Sequence, residues 1–209
     1  MAPAQFKTPL EASSCNSPSG GEAYAPLRKR IIENAIAMGY NAESMVECGV
    51  RWEDDQDPFG HVAGPAYPRY VGICNLRVIE SFAEWLKDKY DDMVNARGIG
   101  ILAKAYTVDV KRPVTYPDSL IVANRLTDIL PDRYHGITSI WSLRQQALVA
   151  EIRGWMVFVD VKVNKPANLV KAGGVYLDLH SALTRRVIES RKLASKWESE
   201  QAKRPRSKL

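Results

Sequence analysis

Residues 53–65, EDDQDPFGHVAGP, separate two segments with different hydrophobic periodicities. In the preceding segment, MVECGVRW at 45–52, apolar and polar residues alternate, which predicts a half-buried strand. From Pro65 to about Lys89, apolar residues recur every three or four positions, which predicts a long helix with a broad apolar face. Residues 53–65 are therefore expected to form the loop between a strand and the N-terminus of that helix.

The rest of the chain predicts an α+β fold. Four strand-like segments separated by turns follow the long helix, at 98–110, 119–130, 134–146 and 147–161. Short turns between consecutive strands indicate antiparallel pairing. Helical patterns also occupy about 26–40 and about 176–201. We expect an antiparallel sheet curled around one long central helix, with extra N- and C-terminal helices.

Composition indicates a single folded domain at 26–202. The chain has 209 residues, of which 45% are hydrophobic, and this is enough for one sizeable core. Residues 1–25 are rich in Ser, Pro, Gly and Ala without periodicity, which is typical of a disordered leader. Residues 203–209 form a basic tail. No apolar run is long enough to span a bilayer, so we expect no membrane partner.

Charge and cysteine content argue against several classes of function. The net charge is +5, but nine basic and only three acidic residues lie in 185–209, so the remaining chain is close to neutral. Because the basic residues form a tail rather than a patch on a folded surface, we expect no nucleic-acid partner. The three cysteines, Cys15, Cys48 and Cys74, are widely spaced, which indicates neither a disulfide framework nor a metal site.

The loop concentrates carboxylates beside a helix N-terminus, since four of its first five residues are acidic. Carboxylates there can simply complement the helix dipole, and this is our interpretation of Glu53 and Asp54. A carboxylate can also act as general base or nucleophile, while free N–H groups of the helix stabilise an oxyanion. Asp57 lies seven residues before Gly64, and Pro65 has no N–H. The donor would therefore be Gly64 or a residue beyond Pro65.

The loop and its flanks resemble the hotdog-fold acyl-CoA thioesterases of the 4-hydroxybenzoyl-CoA thioesterase-like group. The family pattern is a strand, an Asp-x-Asp-x-x-Gly-[His/Ile/Val]-Val loop and then a long helix with Tyr near its start. The residues that carry the resemblance are Val50, Arg51, Trp52, the motif DQDPFGHV at 55–62, Pro65, Tyr67, Arg69 and Tyr70. Later features at Arg112-Pro113, Asp118-Ser119-Leu120 and 157–160 follow in the family's order, so the resemblance covers roughly 45–170.

The resemblance implies hydrolysis of an acyl-CoA thioester and assigns roles in it. Asp57 is the catalytic carboxylate, as nucleophile or general base, and the backbone N–H of Gly64 polarises the thioester carbonyl. His61 is a further catalytic candidate. Candidates for substrate binding are Gly60, Tyr67 and Arg112. The resemblance also implies homodimers with active sites at the interface. No cofactor is expected, because CoA is part of the substrate.

Departures from the family pattern keep two alternatives open. Many relatives have Asn-Asn after the His-Val pair, where this chain has Ala63-Gly64. A Glu-x-x-Arg pattern on the helix is replaced by Gly72 and Asn75. One alternative is therefore a non-catalytic acyl-CoA-binding or scaffold protein. The other is a hotdog-fold enoyl-CoA hydratase, although its Asp-x-Asn-Pro-x-His arrangement is one residue shorter than the stretch 55–61.

The chain ends in Ser207, Lys208 and Leu209, a tripeptide that a peroxisomal import receptor reads as an address. The basic residues that precede it are expected to keep the tail extended and accessible. We therefore expect a peroxisomal matrix protein, with the cytoplasm as the alternative. In a peroxisome, a thioesterase would meet acyl-CoA esters from β-oxidation.

Overall fold

The structure, a computed structural model, describes residues 24–203. Residues 1–23 of the predicted leader and 204–209 of the predicted tail lie outside these residues. The helices are α1 (Ala25–Ala37), α2 (Trp52–Asp55), α3 (Ala66–Glu80), α4 (Ala83–Leu86), α5 (Asp88–Val94), α6 (Leu169–Ala172) and α7 (Gly174–Lys203). The strands are β1 (Val46–Gly49), β2 (Ile99–Val110), β3 (Ser119–Leu130), β4 (Arg133–Ser142), β5 (Ala147–Asp160) and β6 (Lys165–Pro166).

The strands form one antiparallel sheet in the order β1-β3-β4-β5-β2, with β6 added to β5. The pairs β3–β4, β4–β5 and β2–β5 are long and each contains one irregularity in register. Such bulges increase the local twist and bend of a sheet. The sheet curls into a half-barrel, and β2 lies at its edge with most of its residues exposed.

Helix α3 packs on the inner face of this sheet. Its buried residues Tyr67, Tyr70, Val71 and Cys74 contact a cluster that includes Leu120 and other inward residues of β3, β4 and β5. A second cluster continues along the same face and joins α4 and α7 to the far ends of β3, β4 and β5. The predicted sheet around a central helix is therefore observed.

Helix α1 covers the opposite face of the sheet. Successive residues of a strand point to opposite faces, and Ile121 and Ala123 of β3 pack with α1 while Leu120 and Val122 pack with α3. Tyr24 is buried in the same outer cluster, and α1 begins at Ala25. Both residues lie within the predicted leader, so the folded part begins slightly earlier than predicted. Among residues 24–203, no helix is both long and apolar enough to cross a membrane.

Two predicted elements have different bounds in the structure. The helix predicted from Pro65 to about Lys89 ends at Glu80, and α4 and α5 follow as separate short helices. The turn at Ser81 and Phe82 separates α3 from α4, and Lys87, with a positive φ of 49°, separates α4 from α5, while Phe82 and Leu86 are fully buried in the inner core. The apolar spacing therefore persists because three consecutive helices pack on one core.

The first strand is also shorter than predicted. It ends at Gly49, and Trp52 begins α2 with its side chain 54% exposed, whereas the alternating pattern places Trp52 on the buried side of a strand. The Trp52 ring instead contacts Tyr116, in the segment between β2 and β3, at 5.5 Å between ring centroids. This contact brings the segment that follows β2 to the loop at 53–65.

Candidate active site

The loop folds back on itself as a short hairpin. Gln56 and Val62 form a β-bridge, Ala63 N–H donates to the Asp55 carbonyl at 2.7 Å, and Asp57 N–H donates to the His61 carbonyl at 2.7 Å. Val62 N–H donates to the Val114 carbonyl at 2.7 Å and so ties the hairpin to the segment after β2. The returning leg leads directly into α3, so the hairpin is fixed at the mouth of that helix.

Asp55 is the buried carboxylate of the loop. Its side chain is fully buried, its Oδ2 accepts the Arg51 backbone N–H at 2.6 Å, and its Oδ1 pairs with the Arg69 guanidinium. Arg69 lies in the first turn of α3, so this ion pair joins the start of the loop to the helix. The sequence analysis missed this role, although Arg69 was among the residues of the motif.

Asp57 is held differently, with one oxygen bound and one available. Its Oδ1 accepts the backbone N–H groups of Phe59 at 2.8 Å and His61 at 2.9 Å. Within residues 24–203, its Oδ2 accepts no hydrogen bond. Asp57 is partly exposed, so this oxygen is available to a substrate or a water molecule. A fixed carboxylate with one free oxygen is suited to general-base or nucleophilic chemistry.

Gly60 makes the tight turn that shapes this carboxylate site. Its φ is +78°, a left-handed conformation that glycine adopts without a steric penalty, and its N–H donates to the Asp57 carbonyl at 3.1 Å. Space around the position is open, so the backbone angle alone selects glycine. Gly60, predicted to bind substrate, is placed by the structure as the turn residue beside Asp57.

Tyr67 lies at the inner side of the site. It is buried in the first turn of α3, and burial followed by the nearby negative charge of Asp57 raises the pKa of its phenol. The phenol is therefore protonated at neutral pH and lies close enough to Asp57 to sense its charge. The structure brings these two predicted site residues together.

Gly64 stands at the helix mouth. The first helical residue is Ala66 and Pro65 precedes it at the cap position, while Tyr67 N–H donates to the Gly64 carbonyl at 3.3 Å. Gly64 is exposed, and its own N–H donates no hydrogen bond within the described part of the chain. The N–H groups at a helix N-terminus carry partial positive charge, so this donor is suited to polarise a carbonyl oxygen.

The side chains of the other predicted site residues make fewer contacts with the loop. The His61 backbone holds the hairpin, but its imidazole makes no hydrogen bond within residues 24–203. Arg112 is exposed after β2, where its N–H donates to the Val149 carbonyl at 3.1 Å. It lies two residues before Val114, which contacts the hairpin, so it belongs to the same end of the sheet. Ser207, Lys208 and Leu209 lie outside the described residues.

The two cysteines within residues 24–203 are buried. Burial raises the pKa of the Cys48 thiol to about 11 and that of the Cys74 thiol to about 12, so both stay protonated at neutral pH. Across residues 24–203, no group of three or more His, Cys, Asp or Glu side chains is arranged to hold a metal ion.

A cavity of about 250 Å³ runs between α3 and the inner face of the sheet. Pro68, Val71, Gly72 and Asn75 form its helix side. Its sheet side is formed by residues of β2, β3, β4 and β5, including both cross-strand glycines of the β4–β5 pair. Gly72 and Asn75 are the two positions where the chain departs from the Glu-x-x-Arg pattern. The sequence analysis did not predict this cavity.

Comparison with known proteins identifies the family. A family model of the thioesterase-like superfamily matches residues 50–172, more than half of the chain. The chain therefore belongs to the thioesterase-like superfamily, a class of thioester hydrolases. No curated protein matches it.

Solved structures of thioesterases share its fold. A DHNA-CoA thioesterase from Staphylococcus aureus has a TM-score of 0.56 and 17% identity, over 68% of this chain and 90% of that chain. Another Staphylococcus aureus protein, solved in complex with CoA, has a TM-score of 0.56 and 12% identity, over 70% of this chain and 84% of that one. A thioesterase from Thermus thermophilus, complexed with coenzyme A and zinc, has a TM-score of 0.50 and 20% identity, over 66% of this chain and 92% of that one. The predicted hotdog fold is confirmed.

The buried carboxylate leads to a prediction about stability. Asp55→Asn removes the charge that pairs with Arg69 inside the loop, and breaking a buried pair typically costs about 3–5 kcal/mol. Because Arg69 is 44% exposed and can reach solvent, we expect a smaller loss of about 2–3 kcal/mol in the free energy of unfolding. Urea denaturation of the native chain and the variant measures this difference in the free energy of unfolding.

The matched control is Asp54→Asn. Asp54 is the neighbouring carboxylate, and its pair with Arg51 is exposed on both sides. Its removal should change the free energy of unfolding by less than about 0.5 kcal/mol. Equal effects at positions 54 and 55 would contradict a specific role of the buried pair.

Proposed function

We propose that this protein hydrolyses an acyl-CoA thioester to the free acid and CoA, with Asp57 as the catalytic carboxylate. The observation that carries the proposal is that one loop, residues 53–65, contains two groups that make no hydrogen bond within residues 24–203, the Asp57 Oδ2 and the Gly64 N–H. Membership of the thioesterase-like superfamily supports the same chemistry. The CoA complexes among its structural relatives support a CoA ester as substrate.

In the proposed reaction, the thioester carbonyl lies at the N-terminus of α3. The Gly64 N–H donates to the carbonyl oxygen and stabilises the negative charge that develops there. Asp57 Oδ2 either takes a proton from the attacking water or attacks the carbonyl carbon itself. In the first route the oxygen of that water bonds to the carbonyl carbon, the C–S bond breaks, and the sulfur takes up a proton and leaves as the CoA thiol. In the second route the C–S bond breaks as an anhydride forms between Asp57 and the acyl group, and a water molecule then hydrolyses the anhydride, which releases the free acid and restores the Asp57 carboxylate. In both routes one water molecule supplies an oxygen and a proton to the acid and the other proton to the thiol.

The loop geometry makes Asp57→Asn a clean test of this proposal. The asparagine side-chain oxygen can still accept the N–H groups of Phe59 and His61, so the hairpin keeps its bonds while the basic oxygen is lost. We expect kcat/KM to fall by about 10²- to 10⁴-fold. The rate of thiol release from a panel of aliphatic and aromatic acyl-CoAs measures this fall in kcat/KM.

Asp54→Asn serves as the control, because Asp54 is a carboxylate of the same loop with an exposed partner. It should keep turnover within about twofold of the native chain. Near-full turnover by Asp57→Asn would disprove the mechanism. Loss of enoyl absorbance from crotonyl-CoA without thiol release would establish hydration, and tight CoA-ester binding without turnover would establish a binding protein.

The functional unit proposed here is a homodimer formed through β2. This strand has a neighbour on one side only within the described residues, so its other edge offers backbone N–H and C=O groups for pairing. Leu102 is 60% exposed and Tyr106 is 56% exposed, and Val108 and Val110 are also exposed. Antiparallel pairing of two β2 strands would satisfy the edge and cover these apolar side chains.

Lysines on the edge strand test the dimer. Leu102→Lys with Val108→Lys places charges where the second strand would pair, and edge lysines oppose such pairing. We expect light scattering to report twice the 23.4 kDa chain mass for the native chain and a single chain mass for the double variant. Ile188→Lys, at an exposed position of α7, is the control that should keep the native mass.

The C-terminal tripeptide supports peroxisomal import. Ser207, Lys208 and Leu209 form the address, and the described part of α7 ends at Lys203, six residues before the last residue. A fluorescent protein fused to the N-terminus should co-localise with a peroxisomal marker, and deletion of 207–209 should leave it diffuse. Arg206→Ala, which keeps the tripeptide, should retain the native distribution. The same distribution with and without the tripeptide would rule out this address.

A further inference from the structure

A second cavity, here called the edge groove, lies away from the proposed reaction centre. Its volume is about 430 Å³, against about 250 Å³ for the cavity beside α3. It is lined by the segment 39–43, by residues 124–126 of β3, by one face each of α4 and α7, and by Val78 of α3. Val78 lies roughly 16 Å along α3 from Tyr67. The edge groove is therefore separate from the loop at 53–65.

The edge groove forms because β1 is short. β1 pairs only with residues 119–122 of β3, and the segment 39–43 covers the next part of that edge, where Asn41 N–H donates to the Asn124 carbonyl at 2.9 Å. Nine of the fifteen lining residues lie outside 50–172, the part of the chain that the family model matches. Most of the wall is therefore contributed by segments outside the family match. β3 is also remote from β2 in the sheet, so the proposed dimer leaves the groove open.

Arg125 brings a positive charge without a counter-ion into the edge groove. Its guanidinium carbon lies 5.2 Å from the centroid of the Tyr40 ring, and its Nη1 donates to the Met38 carbonyl at 3.1 Å. Among residues 24–203, no carboxylate forms an ion pair with it, and neither its Nε nor its Nη2 has a partner. The Nε is shut off from solvent, whereas the Nη2 is not. A partly buried charge is costly unless it is paired, so this guanidinium favours an anionic ligand.

Ser190 of α7 provides a second donor in the same part of the groove. Gly39 follows Met38, whose carbonyl accepts from Arg125, and a Cβ at Gly39 would lie 2.4 Å from the Ser190 carbonyl oxygen. The backbone of α7 therefore touches the chain directly beside the residue that holds Arg125. Ser190 lines the groove, and its hydroxyl makes no hydrogen bond within the described part of the chain. A guanidinium and a hydroxyl are both suited to donate to a carboxylate.

The carboxylates of the edge groove lie at its rim. Glu43, Glu84 and Glu189 are exposed, and the Glu43 Oε2 is 3.4 Å from the Arg186 Nη2. Arg186 lies deeper, because its side chain is only 19% exposed and stacks on the Trp85 ring at 4.7 Å. Its burial lowers the pKa of the guanidinium from the usual value. Water and salt screen the rim carboxylates more than the groups inside, so an anion in the groove would meet mainly the two guanidinium groups.

We propose that the edge groove binds an organic carboxylate, with the carboxylate on Arg125 and Ser190 and the hydrocarbon body against apolar walls. Val78, Leu126 and Leu193 contribute to these walls. A cavity of roughly 150 Å³ holds a benzene molecule, so about 430 Å³ has room for a chain of about six to eight carbons. An inorganic anion such as phosphate has no hydrocarbon to bury there. The acid released by the proposed hydrolysis belongs to this class, but the binding does not depend on that reaction.

Amide NMR of the isotope-labelled full chain tests both the binding and its place. Titration with hexanoate should shift the amide signals of 39–43 and 186–193 with saturation, because these residues form the groove. Hexanamide, a neutral molecule of the same shape, and inorganic phosphate should each bind at least about tenfold more weakly. Absence of saturable shifts at 39–43 and 186–193 would overturn the proposal, and so would equal Kd values for hexanoate and either of the other two probes.

The same spectra separate this proposal from the proposed hydrolysis. Shifts confined to 57–64 would place the acid at the proposed reaction centre and would overturn the edge groove as its site. The titration involves no turnover, so a chain without hydrolase activity can still bind hexanoate at 39–43 and 186–193. Equally, an active hydrolase can lack this binding.

Two variants test the proposed donors. Arg125→Gln should raise the Kd for hexanoate about tenfold or more, the effect of a hydrogen bond to a charged group, and Ser190→Ala should raise it about threefold. Ser190→Ala keeps a good helix former in α7, so it decides the test if Arg125→Gln, which also loses the bond to Met38, does not fold. An unchanged Kd in Ser190→Ala, or in a folded Arg125→Gln, would overturn the proposed binding mode.

Arg153→Gln is the matched control for the arginine. Arg153 is an exposed arginine of the same sheet, and its partner Glu151 lies two residues away in β5. This variant should keep the Kd for hexanoate within about twofold of the native value. A loss as large as that in Arg125→Gln would show a general effect of charge and would overturn a specific role of Arg125.

The rim offers a test of opposite sign. Glu189→Gln removes a negative charge next to Ser190 and should lower the Kd for hexanoate about twofold at low salt, an effect that high salt should abolish. Glu198→Gln, at an exposed position two turns further along α7, should leave the Kd unchanged. Weaker binding in Glu189→Gln would contradict an anionic ligand and overturn the proposal.

Discussion

The arrangement of the candidate site depends on the buried carboxylate of Asp55. Its side chain holds the Arg51 backbone N–H and the Arg69 guanidinium, and its carbonyl accepts from Ala63 N–H. One residue therefore joins the end of the incoming segment, the returning leg of the hairpin and the first turn of α3. A fully buried charge is expensive unless it is paired, so the hairpin has little freedom to leave the helix mouth.

The two aspartates of this motif, Asp55 and Asp57, have different roles because their surroundings differ. Asp55 uses its oxygens in a buried ion pair and a bond to a backbone N–H, whereas Asp57 fixes one oxygen in the turn and keeps the other free. The spacing of two residues follows from the hairpin, in which Gln56 pairs with Val62 between them. The crowding of carboxylates at this loop is therefore partly structural and partly, in our proposal, chemical.

The sequence predicted most of the fold because the relevant signals are local. Alternation over 119–130 and 147–161 and the three-to-four spacing after Pro65 each follow from one element against one core, and the strands appear where expected. The sequence did not reveal that α3 ends at Glu80, because Phe82 and Leu86 continue the apolar spacing through the turn at 81–82 and into α4. Trp52 was misplaced because its contact with Tyr116 joins residues that are distant in sequence.

The candidate site shows the same division between local and long-range signals. The turn at Gly60, the bound oxygen of Asp57 and the free N–H of Gly64 all arise within one short segment, so the motif was enough to select these residues. The cavity arises from Gly72, Gly136 and Gly154, three residues on three elements, and no spacing along the chain connects them.

The substitution of Gly72 and Asn75 for a Glu-x-x-Arg pair, which favoured an inactive relative when read along the sequence, gains a physical reason in three dimensions. Removing two large charged side chains opens the space beside α3, and it does so without touching the groups at the mouth of the helix. The departure from the family pattern on the helix therefore leaves the groups of the loop, the Asp57 Oδ2 and the Gly64 N–H, in place.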